Sequence, residues 1–200
     1  ALEASPRYAA AYLELATLQR EAGNEQSALQ TLRTGTSRVP ESAGLASAFV
    51  AEAVRAGNTA EAVSFLERLL ERPDPAPSAL AILREGRRAY PEDAALALAE
   101  SEMLGKTGDY AGAERVLRGA QGFAPDNPEL ANQLALALAQ QGETAEAAAT
   151  LEAAAAQNPE LENLLTRNLA EIYFQAGQNE AAVETLGPLI DANPGDSGLY

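Results

Sequence analysis

Five glycines give this sequence its frame: Gly23, Gly57, Gly108, Gly142 and Gly177 each stand five positions before Ala28, Ala62, Ala113, Ala147 or Ala182. A leucine follows four residues later in every case, at Leu32, Leu66, Leu117, Leu151 and Leu186. The glycines are separated by 34, 51, 34 and 35 residues. The prolines keep the same interval, 34 residues from Pro6 to Pro40, from Pro91 to Pro125 and from Pro125 to Pro159, and 35 from Pro159 to Pro194. Two residue types on one period indicate an internal repeat whose units bury their apolar faces by stacking on one another.

Within each unit the apolar residues recur at three- and four-residue intervals, the helical period. Tyr8, Tyr12, Leu15 and Leu18 form one stripe, Gly23-Asn24 ends it, and Ala28, Leu29 and Leu32 begin a second. Asn127-Pro128, Asn158-Pro159, Asn193-Pro194 and Ser5-Pro6 each place a capping side chain before a proline at the first helical position. Asn58 with Glu61 has the spacing of a capping box. The pattern predicts eleven helices, over 6–21, 25–37, 42–56, 59–71, 77–89, 93–106, 110–121, 128–141, 144–156, 161–176 and 179–191. The 45 alanines and 5% aromatic content suit helices that approach closely, because alanine is the strongest helix former and has little β preference.

The interval of 51 exceeds the period by 17 residues, half a repeat, and so predicts one additional helix carried on Ala79, Ile82, Leu83 and Tyr90. Before it lies the helix-hostile run Pro73-Asp74-Pro75-Ala76-Pro77. A tight loop there inverts the order of the helices that follow. An extended run of ~3 Å per residue covers ~15 Å and replaces a first helix, preserving polarity. The register of Ala79, Leu83 and Pro91 matches a second helix and favours the extended path, and in either case a kink or change of face is expected.

These units resemble tetratricopeptide repeats. Unit one supplies Tyr12, Leu15, Ala16, Gly23, Ala28, Leu32, Gly35 and Pro40, and unit four Leu134, Ala135, Leu138, Gly142, Ala147, Leu151, Ala154 and Pro159. The aromatic residue usual at the fourth position is replaced in several units, by Ala46, Ala97 and Ala131. The resemblance implies an all-α fold, a right-handed alpha-alpha superhelix of about eleven helices with a phase break near residues 73–91. One array is expected over 1–200, with units at about 9–42, 43–76, 94–127, 128–162 and 163–196 and the irregular helix at 77–90. Pro6 and Ser197 to Tyr200 read as parts of further units, so the chain is expected to be a piece of a longer array.

Composition narrows the chemistry. A formal charge of −15 opposes a phosphate-backbone interface, so no nucleic-acid partner is expected. The absence of histidine and cysteine removes the usual general base, thiol nucleophile and soft metal ligands. No apolar run reaches the length of about 18 residues that a membrane span needs. Gly105-Lys106-Thr107 looks like the end of a phosphate-binding loop, but Glu100 stands where its first glycine belongs. Asp191, Asn193 and Asp196 hint at a calcium loop in which Gly195 replaces a ligand. Acidic pairs such as Glu92 with Asp93 and Glu100 with Glu102 read as solvated helix faces, and the chain is expected to have no catalytic role, metal or cofactor.

What the family resemblance implies is a groove lined by the first helices. Carried over position by position, its contacts are Leu13, Thr17 and Arg20 in unit one, and Ser47 and Arg55 in unit two. Unit three offers Glu102 and Lys106, unit four Asn132 and Gln140, and the last unit Arg167, Glu171 and Phe174. Arg20, Arg55 and Lys106 also lie where a cation favours the helix dipole without any ligand, and Phe174 has a core reading beside its contact reading. Leu13 and Thr17 occupy the first two places of the Lys/Asn carboxylate clamp found in some members, so a chaperone-tail adaptor is not expected. The resemblance implies a scaffold for a partner peptide or helix, in the style of bacterial envelope or exopolysaccharide assembly proteins and with the periplasm favoured. Self-assembly, or attachment to an enzyme domain elsewhere, are the alternatives.

Overall fold

The computed structural model describes residues 8–70 and 79–192. The expectations placed on Ser5-Pro6, on Pro73 to Pro77, on Asn193-Pro194 and on Ser197 to Tyr200 therefore lie outside the described residues. Eleven α-helices are present among the described residues: α1 (Ala9–Glu21), α2 (Glu25–Arg38), α3 (Ala43–Arg55), α4 (Thr59–Leu70), α5 (Ala79–Ala89), α6 (Ala94–Lys106), α7 (Tyr110–Gln121), α8 (Pro128–Gln140), α9 (Thr144–Gln157), α10 (Glu162–Gln175) and α11 (Asn179–Ala192). The fold is all-α, as the periodicity requires, and none of these helices is long and apolar enough to cross a membrane. Two compact units are distinguished, Ala1–Glu100 and Ser101–Tyr200, the division falling within α6.

The five framing glycines share one backbone conformation, with φ between 73° and 83°. At Gly108 the amide donates to Gly105 O (3.0 Å), and the Asp109 amide donates to Leu104 O (2.9 Å). That pair of bonds is a Schellman cap, which satisfies the last carbonyls of α6 and needs a left-handed residue. The other four glycines make the same two bonds at the same offsets. An added Cβ at Gly108 meets nothing within 4 Å, so backbone conformation alone selects glycine there. Each cap turns the chain within three or four residues into the next helix, giving helical hairpins.

In the first unit α3 is the central helix. Leu45, Val50 and Ala53 are fully buried, Phe49 nearly so, and α3 packs against α1, α2, α4 and α5. Phe49 meets Phe65 of α4 edge-on, with ring centres 4.9 Å apart, an arrangement that suits the aromatic quadrupole. The half-repeat insertion is α5, and its neighbours identify its place. A Cβ on Gly86 of α5 would lie 3.3 Å from Val50 of α3 and 3.9 Å from Leu96 of α6. A Cβ on Gly35 of α2 would similarly meet Tyr12 of α1 and Leu45 of α3. Both helices thus fit between consecutive first helices, and α5 also packs on α4. The second-helix register read from Ala79, Leu83 and Pro91 agrees with this placement.

In the second unit the deepest helix is α8, where Leu130, Leu134, Ala135 and Leu138 are at most 1% exposed. It packs on α7, α9 and α10. Asn127 caps it as expected, its side-chain oxygen accepting from Glu129 N (3.0 Å) and Leu130 N (3.2 Å) ahead of Pro128. Two other expected caps differ. Asn158 closes α9, donating its side-chain amide to Ala154 O (2.9 Å), and Pro159–Leu161 form a 3-10 turn before α10 begins at Glu162. Glu61 turns away from Asn58 because Arg33 of α2 holds its carboxylate through two bonds, 2.8 and 2.9 Å.

The pairing of Glu61 has a pH consequence. The Arg33 hydrogen bonds hold the Glu61 carboxyl below its ordinary value, and the Arg118 and Gln141 bonds do the same for Glu114. A depressed carboxyl stabilises the fold above its unfolded value and loses that contribution as pH falls through the folded one. Both partners are partly exposed, so solvent screening limits each to under about 1 kcal/mol. Glu61→Gln is therefore expected to be slightly less stable than the parent at pH 7. The difference should shrink as pH falls below the ordinary carboxyl range of about 4, as read from urea midpoints of both proteins at each pH. A constant difference across that range would remove the ion-pair account.

Candidate functional site

The cleft between α6 and α8 is built from residues whose places are set by the helical repeat. Ser101, Glu102, Gly105 and Lys106 come from the last two turns of α6, and Gln133, Leu136, Ala137 and Gln140 from α8. Ala113 and Leu117 of α7 close it from beneath, with Tyr110 at one end. The cavity measures about 310 Å³. Its base is apolar, because Leu117, Ala113 and Ala137 are the core-facing residues of their helices. Leu136 remains 37% exposed, so an apolar wall faces solvent. On the rim Glu102 and Lys106 form an ion pair at 2.8 Å, one helical turn apart.

A smaller cleft of about 130 Å³ occupies the corresponding place between α1 and α3 of the first unit. Leu13, Thr17 and Arg20 line one side, and Ala51 and Arg55 the other. Arg55 is held by the buried Glu52 of its own helix and by Glu25 of α2 at 2.6 Å. These two carboxylates raise the guanidinium above its usual value. Its position in the last turn of α3 also favours the helix dipole, so Arg55 is structurally employed whatever else binds. Tyr90 enters this cleft from the end of α5.

The structure thus brings Leu13, Thr17, Arg20 and Arg55 together, and separately Glu102, Lys106 and Gln140. The other candidates have different surroundings. Ser47 donates to Glu85 of α5 at 2.8 Å. Asn132 accepts from the side-chain amide of Asn168 at 2.7 Å, linking α8 to α10. Glu171 accepts from Gln175 one turn later at 2.8 Å. Arg167, Glu171 and Phe174 all lie on the exposed face of α10, and Phe174 is 63% exposed, which excludes its core reading. Phe174→Ala is accordingly expected to change stability by no more than about 0.5 kcal/mol, measured by thermal or urea unfolding. A loss of several times that would show the ring to be a packing element.

Among the contributors missed by carrying family positions over are Tyr90 and Tyr110. Both come from outside the first helices, so a rule confined to first-helix positions cannot find them. Leu136 is reached by carrying positions over, since it occupies the position in its unit that Thr17, Glu102 and Glu171 hold in theirs.

Comparison with known proteins agrees with this architecture. The tetratricopeptide-repeat family model matches residues 104–167 and 138–200. Among solved structures the chain is similar to YrrB, described as a TPR protein with an unusual peptide-binding site, at 20% identity and TM-score 0.56 over 99% of this chain and 92% of that one. It is similar to MamA 41-end from Desulfovibrio magneticus RS-1, at 15% identity and TM-score 0.55 over 94% and 97%. A third is TTC0263, a thermophilic TPR protein from Thermus thermophilus, at 19% identity and TM-score 0.52 over 96% and 95%. At these identities the likeness is one of fold. No curated protein sequence matches the chain.

Proposed function

We propose that the chain, whose second half matches the tetratricopeptide-repeat family model and whose fold is that of tetratricopeptide-repeat structures, a fold that generally serves protein–protein interaction, is a non-catalytic scaffold. Its partner is a peptide or helix segment received in the clefts between consecutive first helices. The observation that carries this reading is the α6–α8 cleft, in which an apolar base and the exposed Leu136 lie beneath a rim of charged and amide side chains. An apolar hollow with a few polar groups around it binds a side chain and orients the chain that bears it. The volume of about 310 Å³ is at the low end for a ligand cleft, ~300–1,000 Å³, which suits one or two side chains. The fold neighbour described with a peptide-binding site supports the same class of occupant. The alanine-rich composition with one lysine, Lys106, supports a setting in bacterial envelope or exopolysaccharide assembly.

The test is selection of a displayed library of random linear peptides on the intact chain. Recovered peptides are expected to lose at least about tenfold in affinity on Leu136→Glu. They should bind Val183→Glu normally, since Val183 is an exposed residue of the second helix α11. A library that yields no peptide sensitive to Leu136→Glu would remove this cleft as the binding site.

A further inference from the structure

Resting on the reading of the α6–α8 cleft as a binding site, we propose that its occupant is a cationic segment anchored by a single apolar side chain. Two independent observations lead there, one concerning charge and the other shape.

Charge is unevenly divided along the chain. Residues 101–200 contain 15 acidic and 4 basic residues, a net charge of −11, whereas residues 1–100 contain 14 and 10, a net charge of −4. Two of the four bases of the second half are moreover neutralised locally: Lys106 is bound to Glu102, and Arg118 to both Glu114 and Glu146. Helix α8 lines the cleft with Gln133, Leu136, Ala137 and Gln140, and it carries Glu129 in its first turn and no basic residue. A cation approaching this cleft moves through a field of one sign, whereas an acidic segment is repelled, and such fields act on encounter and partner choice.

The shape observation is Gly105. Glycine within a helix costs about 1 kcal/mol relative to alanine, so a helical glycine usually has a steric or conformational reason. Gly35 and Gly86 have one, in close neighbours, and Gly108 has one in its positive φ. Gly105 has neither: its φ is not positive, and an added Cβ meets nothing within 4 Å. Gly119 and Gly187 share those open surroundings, so openness alone decides nothing. What separates Gly105 is that its open side is the cavity wall. The missing side chain keeps room above Leu117 and Ala137 for an incoming one, and the apolar base specifies that it be apolar.

The experiment uses fluorescence anisotropy on the intact chain with three short labelled peptides. One carries lysines and arginines around a central leucine; the second replaces that leucine by serine; the third replaces every base by glutamate. The first is expected to bind at least about tenfold more tightly than either of the others. Its affinity should fall as salt rises from about 0.05 to about 0.5 M, as screening shortens the field. Gly105→Leu should weaken it at least about tenfold while leaving the unfolding midpoint unchanged or raised. Equal or tighter binding of the glutamate peptide, still sensitive to Gly105→Leu, overturns the cationic inference and leaves the cleft as a binding site. Binding of the first peptide that ignores Gly105→Leu shows general attraction to an acidic surface and overturns the proposal. Failure of all three peptides to bind overturns the cationic inference, and the library selection with Leu136→Glu then judges the cleft independently.

Discussion

Gly35→Leu is expected to destabilise the protein by about 2 kcal/mol or more, although it replaces the poorer helix former with a better one. A Cβ at this position would stand 3.0 Å from Tyr12 Cγ and 3.0 Å from Leu45 Cδ2. Both neighbours are buried, Tyr12 at 4% and Leu45 at 0% exposure, so neither can swing into solvent. Overpacking a tight core costs typically ~1–3 kcal/mol and sometimes more, and the rest of a leucine side chain adds to the first clash. The helix-propensity gain of about 1 kcal/mol offsets part of this. Gly105→Leu is the same substitution at a glycine with open surroundings, and its unfolding midpoint should be unchanged or higher. Urea denaturation of the two variants beside the parent reads the contrast directly. Equal midpoints for both would show that α2 is not held close to α1 and α3 as described.

Leu134→Ala should have a still larger effect, a loss of about 3 kcal/mol. The side chain is 1% exposed on the helix that packs against α7, α9 and α10. Truncation removes transfer energy and leaves a cavity whose walls are themselves helix surfaces, a combination that costs ~2–5 kcal/mol. Stability in stacked repeats is carried by nearest neighbours, so amide exchange should accelerate first in α7 to α10. Uniform acceleration through every helix would instead indicate one cooperative transition spanning the chain, and an unchanged midpoint would contradict the burial of Leu134.

These two positions also illustrate which features a repeated sequence makes legible. Leu134 and Gly35 both hold repeat positions, and a residue recurring at one offset is legible because the same neighbour recurs with it. The eleven helices followed from the same redundancy, with boundaries within three residues of those observed. The half-repeat insertion was legible as a count of residues and as the register of α5. Caps were less so: Asn158 and Glu61 carry the right residue types, but each found a competing partner, Ala154 O and Arg33, that local sequence does not reveal. The clefts were half legible. Family positions bring Leu13, Thr17, Arg20 and Arg55 together, and Glu102, Lys106 and Gln140, because a first helix always presents one face to its successor. They cannot tell that Ser47 is held by Glu85 or that Tyr90 and Tyr110 contribute from other segments.

The Arg33–Glu61 pair has a counterpart in Arg118–Glu146, and the two share a grammar. Each arginine follows the repeat leucine of its unit, Leu32 or Leu117, and each glutamate precedes the small alanine of the next, Ala62 or Ala147. Both partners are 28 residues apart, so the bridge links neighbouring second helices and belongs to neither unit alone. A unit inserted between Leu117 and Ala147 would separate the partners of that bridge. To keep the chain stitched, the insert must bring glutamate before its own alanine and arginine after its own leucine, so that one bridge becomes two. The pair therefore acts as a splice rule for lengthening the protein, written in two residues that no single repeat contains.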